Sequence, residues 1–294
     1  VRPHHPARAV SAATLPLIAA RPSRVRAIPG FGLAFGITAT WLSLIVLIPL
    51  AALVIRPWEL GLAGVWASVT EPRVLASLRL SFGAALVAAA ANVPLGLIVA
   101  WAIVRLRFPG RALLDGAVDL PFALPTAVAG IALTALFAPN GWLGAPIEAL
   151  TGLKVAFTPL GVVVALVFVG LPFVVRTVEP VLRDLSRDAE EAAATLGATR
   201  PQTLVRVVLP ALAPSILTGF GLAFARCVGE YGSVIFIAGN MPMISEIAPL
   251  LIVVRLEQFD YAGAAAVGLA MLALSFTILL VLNLIQRTLR RGRR

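Results

Sequence analysis

Long apolar stretches alternate with short polar ones along this chain, and the lengths of the apolar stretches predict its elements. Phe31 to Ile55, Leu80 to Val104, Ala117 to Phe137, Thr158 to Val178, Leu212 to Ala238 and Ala262 to Ile285 each come near the length of about 20 residues that a helix needs to cross hydrocarbon. Phe31 to Ile55 is longer than the apolar core of a secretory signal and has no convincing cleavage site, so it is expected to stay as the first span. The expected fold class is an all-α polytopic membrane protein of six transmembrane helices occupying residues 31–286, with basic tails at 1–30 and 287–294. Pro49, Pro94, Pro121, Pro125 and Pro172 fall within or at the ends of these spans, where kinks are expected. Gly32 and Gly36 form a GxxxG, a weak signal in so glycine-rich a chain.

One polar stretch does not read as a simple turn between spans. Ser186 to Pro210 reads SRDAEEAAATLGATRPQTLVRVVLP. Ser186 is placed to cap a helix, and Asp188, Glu190 and Glu191 crowd its first turns, where negative charge suits the helix dipole. Ala192, Ala193, Ala194 and Leu196 continue it, and Gly197 is the residue that most readily takes the left-handed conformation ending a helix. Thr199 with Gln202 makes a capping box for a second helix, Pro201 suits its first turn, and Leu209-Pro210 is expected to close it. The expected product is two helices about a glycine hinge, with an apolar edge of Ala192, Ala193, Leu196, Leu204 and Val208.

Composition and charge then narrow the class. With 60% hydrophobic residues, 13% charged ones and a mean hydropathy of +0.96, the chain is too apolar for a soluble domain. A net charge of +10 suggests either nucleic acid or a membrane topology signal, and the positions of the basic residues decide. Eighteen fall on the side that holds both termini and the Ser186–Pro210 loop, whereas Arg56, Arg73, Arg79, Lys154 and Arg255 fall on the other. By the positive-inside rule both termini and the loop are cytoplasmic, the surroundings are lipid, and nucleic acid is not a partner. Residues 1–30 carry arginines among prolines without periodicity and are expected to be disordered; His4 and His5 lie there without thiol or acidic company and are not read as metal ligands.

Chemistry within the chain is sparse. A phosphate-binding P-loop needs Gly-Lys, and the single lysine, Lys154, follows Leu153, so any ATP-Mg would be bound by another polypeptide. No Ser/His/Asp, Cys/His or metal-ligand grouping stands out, so an enzyme, a cofactor and a metal are not expected, and the lone Cys227 reads as packing. The informative charges are Arg226 and Glu230 in the fifth expected span. An arginine near mid-membrane costs about 2.5–3.5 kcal/mol on insertion scales, so it should face protein or water. Two readings stay open. The pair either locks helices together, or Arg226 offers positive charge to a passing anion while Glu230 restrains it.

Two sets of residues carry a family resemblance. The spacing Glu191-Ala192-Ala193, then Gly197, then Val207, Leu209 and Pro210, resembles the EAA loop by which permeases of bacterial ABC importers dock on separate ATPase subunits. Arg226 to Ser233, RCVGEYGS, followed by FIAGNMP, with DLPFALPTAVAGIAL from Asp119, FVGLPFVVRTVEPVL from Phe168, SEIAPLLIVVRLEQFDYAGA from Ser245 and RFPGR from Arg107, is similar to the CysT-type permeases of sulfate/thiosulfate importers. The similarity runs from about Phe31 to Gln286; Pro201 departs from it, standing where a bulky residue is expected. The resemblance implies a type I ABC importer permease fold in the bacterial inner membrane, two ATPase subunits that bind ATP-Mg, a second, non-identical permease and an extracytoplasmic sulfate-binding protein. It further implies ATPase coupling through Glu191, Ala192, Ala193, Gly197, Leu209 and Pro210; the path or gate, on the second reading of the charge pair, is expected at Arg226, Glu230, Tyr231 and Ser233. A molybdate or tungstate permease is the near alternative, and an ion-coupled secondary transporter or a structural scaffold would be readings of another class.

Overall fold

The structure is a computed structural model, and it describes residues 31–291, with side chains to residue 286. The tail expected at 1–30 therefore lies outside the described residues. The chain divides into two compact units at Pro49, and each is taken by itself. In the first, Phe31 to Pro49 is the greater part of helix α1, Phe31–Ile55, apolar from end to end.

From Leu50 onward the described elements are all helical. A 3-10 turn at Arg56–Leu60 ends at Gly61, whose φ of 66° and ψ of 168° are not helical, so α2, Gly61–Thr70, is a separate helix and not a continuation of the first span. After α3, Pro72–Arg105, come three short helices: α4, Arg111–Val118, α5, Leu120–Ala123, and α6, Thr126–Phe137. Then follow α7, Gly144–Thr151, α8, Pro159–Asp184, α9, Asp188–Thr195, and α10, Arg200–Thr203. A π segment at Leu204–Val208 joins α10 to α11, Leu209–Val228. Last come α12, Val234–Ile237, α13, Ala248–Glu257, and α14, Tyr261–Arg291.

Five helices are long and apolar enough to cross a membrane, and the departures from the expected six have local causes. The span expected at Ala117–Phe137 is broken. Pro121 and Pro125 lack backbone donors, and Leu124, before Pro125, is held extended at φ −87° and ψ 137°. What remains continuous is the 12-residue α6, which at about 1.5 Å per residue is far short of the ~30 Å of hydrocarbon. The span expected to run to Ala238 ends at Val228, and residues 229–233 are unwound before α12. At the other extreme α14 runs on to Arg291 through the first part of the expected basic tail.

The core is a parallel pair, α3 and α8, with α11 antiparallel across them. Its residues are mostly small: Ala84, Ala85, Ala88 and Ala89 on α3, Val162, Ala165, Val174 and Val178 on α8, Ala223 on α11. Lipid tails are as apolar as leucine, so burial alone does not hold membrane helices together and close van der Waals contact has to. Three glycines permit the contact. A Cβ on Gly96 would lie 2.7 Å from Val174 Cγ1, one on Gly170 2.6 Å from Asn92 Nδ2, and one on Gly219 3.0 Å from the Val174 Cα. At that junction Cys227 donates its thiol to the Leu166 carbonyl at 3.2 Å, as a packing residue.

Gly170→Leu therefore drives a side chain into Asn92 and Cys227 where α3, α8 and α11 meet. The expected result is a loss of about 1–3 kcal/mol, the usual cost of overpacking, read as a lower unfolding midpoint in detergent, with Gly221→Leu, at an open position, as the neutral control.

Candidate functional site

The polar loop forms at the end of the bundle where α3 and α8 finish. Ser186 Oγ accepts the Asp188 N–H at 3.0 Å, as its side chain is expected to, while the N-cap backbone position falls one residue on at Arg187. Asp188, Glu190 and Glu191 occupy the first turn of α9. Gly197 ends it with φ +82°; its N–H bonds to the Ala194 carbonyl and the Ala198 N–H to the Ala193 carbonyl, both at 3.0 Å. This is the paired closure that a left-handed residue makes possible at a helix end. No atom lies within 4 Å of where a Cβ would stand on Gly197, so φ and not space requires glycine there. The capping box of Thr199 and Gln202 is present, with the Thr199 N–H on Gln202 Oε1 at 2.8 Å.

Two expectations for this loop are corrected. Leu209-Pro210 does not close the second helix: Arg200 to Val228 is one 29-residue helix. The π segment explains how it passes Pro210. The Leu209 N–H reaches back five residues to the Leu204 carbonyl, so the ladder changes register just before the residue that has no N–H to give. Val208, placed on the docking edge by the sequence, is 1% exposed and belongs to the core. Leu196, 89% exposed, and Leu204 do face outward as expected of that edge, and Val205 joins them. Between the two helices lies a groove of about 330 Å³ lined by Ala193, Leu196, Gly197, Gln202, Arg206 and Val207.

Arg226 and Glu230 do pair, but not on one helix at mid-membrane. Arg226 is in the last turn of α11, where a cation suits the dipole, and Glu230 is in the unwound segment beyond it. The neighbouring Cys227 sits beside Leu166, about two turns inside the start of α8, so the pair lies toward the end of the bundle away from the loop. Arg226 Nη1 meets Glu230 Oε2 at 2.5 Å, and Glu230 Oε1 accepts both the N–H and the hydroxyl of Ser233 at 2.9 Å. Glu230 and Ser233 are buried, whereas the Arg226 side chain keeps 35% exposure. Tyr231 is half-buried and packs on the core. The turn rests on the broken third span: a Cβ on Gly232 would fall 2.2 Å from Thr126 Oγ1, and one on Gly130 2.4 Å from the Ser233 carbonyl.

Other charged groups do as much and were not singled out by sequence. Arg176 on α8 forks onto Asp119, Nε to Oδ1 at 2.9 Å and Nη2 to Oδ2 at 2.7 Å, and also meets Asp115 and Glu179 at 2.7 Å, tying the broken segment to α8. At the end away from the loop, Arg73 holds buried Glu246 by two bonds of 2.8 and 2.7 Å, and the buried Arg255 donates to Ser68 at 2.9 Å and to Glu71 at 2.5 Å. At the loop end, Arg105 donates to Glu190 Oε1 at 2.8 Å and to the Leu185 carbonyl at 3.3 Å, with its guanidinium over the Trp101 ring. The usable signal was an arginine or carboxylate inside or bordering an apolar run, since such a group must find a partner. Sorting the basic residues by side assigned them to a topology and overlooked that demand. Among the described residues no group of His, Cys, Asp or Glu is gathered as for a metal ion.

The family model described as "binding-protein-dependent transport system inner membrane component" matches residues 92–294. The sulfate transport system permease protein CysT of Salmonella typhimurium is 48% identical over 269 residues, 92% of this chain and 96% of that protein. Its counterpart of the same name from Synechocystis is 48% identical over 255 residues, 87% of this chain and 89% of its own. Among solved structures, a bacterial alginate ABC transporter in complex with alginate pentasaccharide-bound periplasmic protein matches with a TM-score of 0.72 at 16% identity, covering 88% of this chain and 95% of its own, a likeness of fold.

Glu230→Ala would leave the Ser233 N–H and the Arg226 guanidinium without their carboxylate. A loss of about 1–3 kcal/mol is expected from thermal unfolding in detergent, with Glu230→Gln less affected because its amide oxygen still accepts from Ser233.

Proposed function

This chain belongs to the family of binding-protein-dependent transport system inner membrane components, and from that premise we propose that it is a permease subunit of an ATP-driven sulfate importer. The observation that carries the mechanism is the uninterrupted helix from Arg200 to Val228, which makes one half of the exposed loop and a membrane span a single piece. Two ATPase subunits, which bind ATP-Mg, face the loop from the cytoplasm. A second, non-identical permease completes the path, and an extracytoplasmic sulfate-binding protein delivers the anion to the far end. Both termini lie in the cytoplasm, in keeping with the distribution of basic residues.

In this reading Glu191, Ala192, Ala193 and Gly197 form the part of the loop that seats on an ATPase, with Leu196 as its apolar contact. Leu209 and Pro210 open α11, directly after the register change. Closure of the ATPases around ATP displaces the helix pair, α11 moves with it, and the turn at Glu230–Ser233 moves with the other end of α11. Arg226, with 35% of its side chain exposed, is the positive group that an oxyanion meets. Glu230 neutralises it when no anion is there, and Tyr231 and Ser233 hold the turn that positions Glu230.

The test is sulfate uptake by proteoliposomes carrying the whole complex. Arg226→Ala is expected to lower uptake about tenfold, the scale of one lost charge-assisted hydrogen bond, while the subunits still co-purify. Unchanged uptake would remove Arg226 from the path. Gly197→Val should abolish uptake, because a β-branched residue resists φ +82°; normal uptake by that variant would refute the hinge.

A further inference from the structure

The loop has a second mechanical connection, and it is made by one side chain. Helix α9 has no buried residue, and the hydrogen bonds of its own side chains and of Ser186 stay within the loop, with one exception. Among the described residues, the one hydrogen bond or ion pair from an α9 side chain to a spanning helix is that of Glu190 with Arg105, the last residue of α3. The Arg105 side chain is only 11% exposed, pressed against Trp101, and its Nη2 also holds the Leu185 carbonyl just past the end of α8. The ends of α3 and α8 and the start of the loop thus converge on one guanidinium.

That guanidinium is incompletely used. Arg105 grips Glu190 through Nη2 alone, and its Nε is buried with no partner. A buried donor without an acceptor costs about 1–3 kcal/mol, and the Nε and Nη2 edge of arginine is the pair that takes a carboxylate by two parallel bonds. A small turn of α9 that brought the second oxygen of Glu190 to Nε would satisfy it.

We propose that Arg105 is a positioning residue for transport. It carries displacement of the loop into α3 through Glu190, by one hydrogen bond in the present arrangement and by two when the ATPases have moved α9. This rests on the importer reading above. It adds a second route from the loop into the bundle: α11 is driven through the continuous helix, and α3, which packs on both α8 and α11, through the ion pair. A salt bridge that merely stabilised the loop would need neither the free Nε nor the simultaneous hold on Leu185.

The experiment uses the complete complex in proteoliposomes and reads sulfate uptake, ATP hydrolysis and co-purification together. Arg105→Gln and Glu190→Gln are each expected to cut uptake per ATP hydrolysed about tenfold, with hydrolysis and co-purification within twofold of the parent. Arg105→Lys, which keeps the charge but not the fork, should fall between, and Arg105→Glu with Glu190→Arg should recover part of the ratio. Arg107→Gln, an exposed charge two residues on, should change nothing. An unchanged ratio in both glutamine variants, or a parallel fall of uptake, hydrolysis and assembly without rescue by the reversed pair, would overturn the proposal. A separate readout does not depend on the substrate: the distance between spin labels at positions 107 and 194, on either side of the strut, should hold when ATP is added to the parent and change in Arg105→Gln. If the parent complex hydrolyses ATP but takes up no sulfate, the importer reading fails for sulfate, and a distance that holds equally in Arg105→Gln would still refute the strut.

Discussion

In hydrocarbon there is no water to hydrogen-bond a backbone group, so wherever the chain leaves a helix inside the membrane, protein must cover the place. The rest of this structure follows from how that requirement is met twice. The third apolar stretch is broken by Pro121 and Pro125, and the fifth unwinds at residues 229–233. The two breaks are packed on each other, Gly232 against Thr126 and Gly130 against the Ser233 carbonyl. Each supplies the wall that the other lacks. Glu230 finishes the arrangement by accepting the Ser233 N–H, which no helix could otherwise have used.

Rigid close packing elsewhere makes those breaks informative. Where α3, α8 and α11 touch through Gly96, Gly170 and Gly219, atoms of a neighbouring helix stand where a Cβ would be or close against it, and these helices have little freedom to slide singly. A displacement of one of them would carry the others with it, and the unwound segments are where the geometry has room to change. The π segment at Leu204–Val208 has a related character: a local register change in an otherwise continuous helix, next to the exposed helix pair.

The charged groups divide by what they hold. Arg176 fastens the broken segment to α8, Arg73 and Arg255 close the end away from the loop, Arg226 and Glu230 shape the second break, and Arg105 joins the loop to α3. All are long side chains bordering apolar stretches, where an unpaired charge would be costly, and each has found a partner from another element or another turn. The residues that the positive-inside count sorts by side are also the internal fastenings, which is why counting arginines by side gives an expected topology and misses the fastenings.

Much was legible in the linear pattern. Apolar length marked the spans, because the thickness of hydrocarbon sets that length directly, and the caps and hinge of the Ser186–Pro210 loop could be read because capping and the left-handed preference of glycine act over a few neighbouring residues. The spacing of Glu191, Gly197, Val207 and Pro210, with the RCVGEYGS stretch, carried the family. The tertiary structure alone decided that Pro210 lies inside a continuous helix, that Val208 faces the core, that two spans break, and that Arg105 finds Glu190 and Arg176 finds Asp119. Those outcomes depend on which groups 57 to 85 residues apart come within hydrogen-bonding distance. Such distances are fixed by the packing of helices against one another, and no local periodicity encodes them.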